Sequence, residues 1–118
     1  MPERVKERRK EMVSVLDVQA ASIAVVNDRF RESGFGVILT QGVQAIRNLE
    51  GLLGRVRMYN DFNEGNDPYG EHDFGSLRWE DDKVFWKIDY YDQNMEYGAD
   101  PLFHDCKRAM TVMLADEY

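Results

Sequence analysis

NDFNEGNDPYGEHDFGSLRWEDDKVFWKIDYYD, residues 60–92, is the stretch on which the fold turns. Its second half alternates. Leu77 and Trp79 alternate with Arg78 and Glu80, and Val84, Trp86, Ile88 and Tyr90 alternate with Phe85, Lys87, Asp89 and Tyr91. Successive strand side chains point to opposite faces, so this period of two predicts antiparallel strands over 72–80 and 83–92, joined at Asp81-Asp82. Val84, Trp86, Ile88 and Tyr90 are the expected core face, because the other set carries Lys87 and Asp89. The first half has no apolar period. Residues 59–70 hold Asn60, Asp61, Asn63, Gly65, Asn66, Asp67, Pro68 and Gly70, all turn formers, and read as a loop. Loops of that length in a compact domain often carry function.

The flanks supply the packing. Residues 3–31 read as a helix, with Met12, Leu16, Ala20, Ile23, Val26 and Phe30 on one face at spacings of three and four. Gly34 is a left-handed stop for it. Residues 36–39 read as a short buried strand. Thr40 is placed to cap a second helix running to Arg57, with Val43, Ile46, Leu49, Leu53 and Val56 as its stripe. Residues 103–117 read as a closing helix, on the stripe Cys106, Ala109, Met110, Met113 and Leu114. The sum is an α+β fold: a small antiparallel sheet, made of the central hairpin and one further strand, packed by about three helices. One domain over residues 1–118 is expected, with 1–10 as a frayed basic extension.

Charge and composition narrow the function. The 118 residues are 43% hydrophobic, enough for a core without disulfides. Cys106 is the only cysteine, which excludes a disulfide within the chain and fits a reduced, cytoplasmic setting. No stretch is long and apolar enough to cross a membrane. The net charge of −7 is uneven: residues 1–57 sum to +3 and residues 58–118, with 15 acidic and 5 basic side chains, to −10. An acidic half repels phosphate backbones, so sequence-specific DNA binding is not expected of it, and a basic protein surface is its natural complement.

Chemistry-bearing motifs are few. Asp67, Tyr69, Glu71, His72 and Asp73 sit together in sequence, and Asp89, Tyr91 and Asp92 close the second strand. These eight residues are the candidate binding surface. Histidine exchanges protons near neutral pH, so His72 is the candidate acid–base group, with Asp73, Asp89 or Asp92 to orient it or hold a cation. The bland alternative is that His72 and Asp73 tie down the loop through backbone hydrogen bonds. No metal or other cofactor is expected. Counted from Asp61, a calcium-type loop has its glycine one place early and His72 where a glutamate is needed. His72, His104 and Cys106 are a poor zinc set. Neither a nucleophile elbow nor a phosphate-binding glycine loop is present.

Asn27-Asp28-Arg29-Phe30-Arg31, Leu39-Thr40-Gln41-Gly42-Val43, residues 66–75, residues 85–92 and residues 113–118 together resemble a family of small bacterial proteins catalogued as domain of unknown function 3768. The resemblance runs from about Asn27 to the end. It implies a single domain and accessory genes of chromosomes and mobile elements, and it implies no activity. Three expectations follow from residues and resemblance together. The first is an interaction module rather than an enzyme, docking on a basic, nucleic-acid-binding protein, with an inhibitor of a bacterial defence nuclease as the concrete form. The second is a small enzyme or ligand binder with a His/carboxylate site between the 60–75 loop and the hairpin. The third is a homo-oligomer formed through the long first helix.

Overall fold

The computed structural model describes residues 14–118. Helix α1 (Val15–Ser33) leads into strand β1 (Val37–Leu39), the single-turn helix α2 (Gln41–Gln44) and helix α3 (Leu49–Arg57). A loop then feeds β2 (Phe74–Trp79), β3 (Asp82–Tyr91) and β4 (Lys107–Leu114), and a 3-10 turn (Ala115–Glu117) closes the chain. The four strands lie in the order β1-β4-β3-β2. β2, β3 and β4 pair antiparallel, whereas β1 pairs parallel with β4, so the sheet is mixed and not purely antiparallel as expected.

The hairpin reading holds. Val84, Trp86 and Ile88 are buried on one face of β3, and Leu77 of β2 joins them. The turn sits one residue earlier than expected: β2 stops at Trp79 and β3 already begins at Asp82. Trp79 pairs with Asp82, so the two-residue turn is Glu80-Asp81, with Glu80 in the left-handed region at φ 54°. The strand after the loop begins at Phe74 rather than His72.

The last element corrects the sequence reading: residues 107–114 are a strand, not a helix. β4 lies between β1 and β3, and Ala109, Met110, Val112 and Met113 are buried on its two sides. A central strand covered on both faces shows a continuous apolar run instead of alternation. In this chain that run is built from Ala, Met and Leu, which are good helix formers, so it imitates a helical stripe.

The helices differ in detail. Ser14 caps α1 in an extended conformation, its hydroxyl accepting from the Asp17 N–H while Asp17 reaches back to the Ser14 N–H. The expected helical residues 3–13 lie outside the described residues. Gly34 ends α1 at φ 74°, as a left-handed cap should. Of the stripe expected on α1, Ile23 is buried, but Leu16 and Val26 face solvent. The buried set is Ile23, Ala24, Asn27 and Arg31. The second helix is broken at residues 45–48, where Asn48 takes φ 56° and its side chain accepts from the Gly51 N–H. Thr40 does not cap with its hydroxyl. That hydroxyl donates to Glu117 Oε1 at 2.6 Å, and Glu117 also accepts from the Gly42 and Leu114 N–H groups. The Thr40 bond first, then the two amides, hold the Glu117 carboxyl below the ordinary glutamate value.

The core lies between the helices and one sheet face: Val43, Leu52, Val56 and Tyr59 pack on Leu77, Val84, Trp86, Ile88, Met110 and Val112. The other face carries Phe74, Phe85, Lys87, Asp89 and Tyr91, with the Tyr118 ring edge-on to Phe74 and Phe85. Gly75 pairs with Trp86 across the hairpin, and a β-carbon there would collide with the indole. Gly75→Ala is therefore expected to lower stability by about 1–3 kcal/mol, the usual cost of overpacking, read from the midpoint of urea unfolding.

Candidate functional site

Asp28, on α1, is the organising carboxylate. It accepts from Arg31 Nη1 at 3.1 Å, one helical turn away, and its two oxygens lie 3.0 and 3.1 Å from His72 Nδ1. On the other side of the ring, His72 Nε2 lies 3.6 Å from Asp67 Oδ2, and Asp67 Oδ1 accepts from the His72 backbone N–H at 3.4 Å. The imidazole stacks flat on Phe62, with centroids 3.8 Å apart. His72 holds φ 55°, a conformation that non-glycine residues adopt at a cost and that surrounding contacts must enforce. Here the enforcing contacts are two carboxylates and a ring.

Arg31 is almost fully buried. Its guanidinium carbon sits 4.9 Å from the Trp86 ring and 5.4 Å from the Phe62 ring, and Nη2 donates to the Tyr59 carbonyl at 2.9 Å. Asp28, Arg31, Tyr59, Phe62 and His72, with Glu32, Arg57, Met58 and Asn60, line an open cleft of about 530 Å³. The pairing of a carboxylate with one imidazole nitrogen is the arrangement that orients a histidine for proton transfer. The nearness of Asp67 to the other nitrogen makes the same residues a clamp between loop and helix.

A second polar knot sits behind the first. Buried Asn27 donates to the Glu71 carbonyl at 2.9 Å and to the Tyr90 hydroxyl at 2.8 Å, and its oxygen accepts from Arg108 Nε at 2.7 Å. Arg108 also donates to the Pro101 carbonyl and lies 5.1 Å from the Tyr90 ring. Burial pushes the Tyr90 hydroxyl well above the ordinary tyrosine value, against the bond from Asn27. Burial also raises the Glu71 carboxyl, with Asp73 and Asp67 adding to it, and raises Asp73, with Asp67 and Asp89 adding.

The eight residues singled out in the sequence thus separate into several places. Asp67 and His72 meet, but the main partner of His72 is Asp28 and not Asp73, Asp89 or Asp92. Glu71 and Asp73 lie near Tyr90. Asp89 and Tyr91 are on the outer sheet face, where Asp89 pairs with Lys87 at 3.1 Å. Asp92 shapes the turn after β3, accepting from the Glu96 N–H. Tyr69 is exposed beside the start of α1. Cys106 is half-buried just before β4 and not on a helix. Asn27, Asp28 and Arg31 belong to the site although no local motif marks them. The available signal was the row Ile23, Asn27, Arg31, at spacings of four, in which polar residues continue an apolar stripe into the core. Among the described residues no three His, Cys, Asp or Glu side chains come together as a metal-holding group, and no helix is long and apolar enough to cross a membrane.

Residues 39–117 match the model of the family described as protein of unknown function (DUF3768), and the chain belongs to that family. No curated protein and no solved structure matches it.

Asp28→Asn removes the charge that faces the buried Arg31. The expected loss is about 2–3 kcal/mol of unfolding free energy. Asp89→Asn, which breaks only the surface pair with Lys87, is expected to cost under about 1 kcal/mol in the same measurement. Asp73 gives the opposite sign. Its raised value means the folded state holds the proton longer than the unfolded chain, so ionisation penalises folding as pH rises through the ordinary aspartate value of 3.8 and beyond. Asp73→Asn should melt higher than the parent protein at pH 7, with the gain vanishing below that value in a thermal-melt pH series.

Proposed function

We propose that this protein is a small interaction module that docks on a basic protein surface. One observation carries the reading: of the 15 carboxylates after residue 57, Asp89 alone pairs with a lysine or arginine among the described residues. Asp67 and Glu117 are taken up by His72 and by Thr40 with two backbone amides, but Asp61, Glu64, Glu80, Asp81, Asp82, Glu96, Asp100, Asp105 and Asp116 are exposed with no cationic partner among the described residues, and the field of such an acidic surface steers and selects cationic partners.

The connection between β3 and β4 combines that charge with exposed apolar side chains. Residues 92–106 hold Asp92, Glu96, Asp100 and Asp105 and no lysine or arginine. They also expose Met95, Tyr97, Leu102 and Phe103. Asp92, Asp100, Phe103 and Asp105 line a groove of about 420 Å³. Carboxylates around an aromatic ring fit a lysine or arginine side chain, through charge and through the ring face together. Proteins that bind nucleic acid present such side chains in rows, so a nucleic-acid-binding protein is the partner class this surface suits. An inhibitor of a bacterial defence nuclease, carried on a mobile element, is its concrete form.

The test is affinity capture from host lysate over a salt gradient, with the intact protein and an Asp100→Asn/Phe103→Ser/Asp105→Asn variant. The expected outcome is one stoichiometric basic partner, released as salt rises and lost by the variant while its circular dichroism is unchanged. A partner held equally at all salt concentrations, or equally by both forms, would sink the proposal.

The cleft beside His72 favours a second reading, a small-molecule site with Asp28 orienting the imidazole. In that case a ligand screen followed by NMR should move the His72 and Asn60 signals in the parent protein and not in His72→Gln.

A further inference from the structure

The solvent side of α1 is unusual. Val15, Val18, Ser22, Val25 and Arg29 recur at spacings of three, four, three and four, with Val26 beside them. That is the spacing of a coiled-coil seam. These valines are not buried by their own fold: Val15, Val18, Val25 and Val26 are 72, 57, 49 and 39% exposed. The buried set of α1, Ile23, Ala24, Asn27 and Arg31, lies on the opposite side of the helix. Valine loses rotamer freedom in a helix and on an exposed face has nothing to offset that loss, so a row of four indicates a covered surface.

We infer that α1 is the seam of an antiparallel homodimer. Three features select a second copy in that orientation. First, the stripe is self-complementary about a two-fold axis. In a register where residue i faces residue 40 − i, Val15 meets Val25 and Val18 meets Ser22, with the small serine accepting the valine. Second, the seam carries no acidic residue between Val15 and Arg29, whereas the chain as a whole is at −7. A face free of repulsion is what two copies of an acidic protein need. Third, a parallel pair in register would set Arg29 of the seam against Arg29 of the other copy, a like-charge contact that the antiparallel arrangement avoids.

The seam is short. In this register residues 15–25 of the two helices face each other over roughly 16 Å, which puts the contact at the small end of specific interfaces and makes the dimer concentration-dependent. Sedimentation analysis over a wide concentration range should show the 13.8 kDa monomer converting to a species of twice that mass. Val18→Glu/Val25→Glu should raise the dissociation constant by roughly two orders of magnitude or more, with circular dichroism unchanged and a melting temperature equal to that of the parent protein diluted to its monomer, because both side chains face away from the core. Orientation is read in a Cys106→Ser background. Val15→Cys mixed with Val25→Cys should cross-link on oxidation, and Val15→Cys alone should not. A protein that stays at the monomer mass throughout, or a dimer indifferent to the double glutamate variant, overturns the seam. Efficient cross-linking of Val15→Cys alone overturns the antiparallel arrangement.

Discussion

One buried guanidinium holds the molecule together. Arg31 enters the core from α1 with its charged end between the rings of Trp86 and Phe62, bonded to Asp28 and to the Tyr59 carbonyl. Each contact belongs to a different part of the chain: helix, central strand, long loop and the end of α3. A buried charge is tolerated only when counter-charge and acceptors surround it, so the position of Arg31 dictates where those parts must be. The long loop is ordered through this requirement. Phe62 lies over the guanidinium, His72 stacks on Phe62, and Asp28 closes the ring of contacts by binding both Arg31 and His72. The cleft is the open edge of this cluster, which explains why the residues best placed for chemistry also bear on stability.

The sequence was legible where side-chain period matched environment. β3 has one face in the core and one outside, and its alternation revealed both its type and its inner face. The loop was legible from turn formers, several of which now bind their own backbone, as Asn63 does to Gly65 and Asn66. Legibility failed where two environments compete. β4 is covered on both sides, so period two disappears, and Met and Ala supplied a false helical stripe. The α1 reading failed in a related way. Apolar residues were assigned to the core because they were apolar, yet Leu16 and Val26 face solvent while Asn27 and Arg31 face inward. The candidate site failed for distance: Asp28 and His72 are 44 positions apart, and no local pattern pairs a helix residue with a loop histidine.

The two arginines that reach inward serve the fold rather than the surface. Arg31 is committed to Asp28 and the core rings, and Arg108 to Asn27, Pro101 and the Tyr90 face. Lys87 is committed to Asp89. Arg78, Lys83 and Lys107 stay exposed among the carboxylates, so the exterior of residues 58–118 is acidic but mixed. Within that exterior, charge is not uniform. The β3–β4 connection mixes carboxylates with exposed aromatics, whereas the solvent side of α1 carries the exposed row Val15, Val18, Val25 and Val26. Surfaces with such different chemistry do not compete for the same partner. A carboxylate-rich loop with exposed rings complements cations, and a row of exposed valines complements an apolar surface.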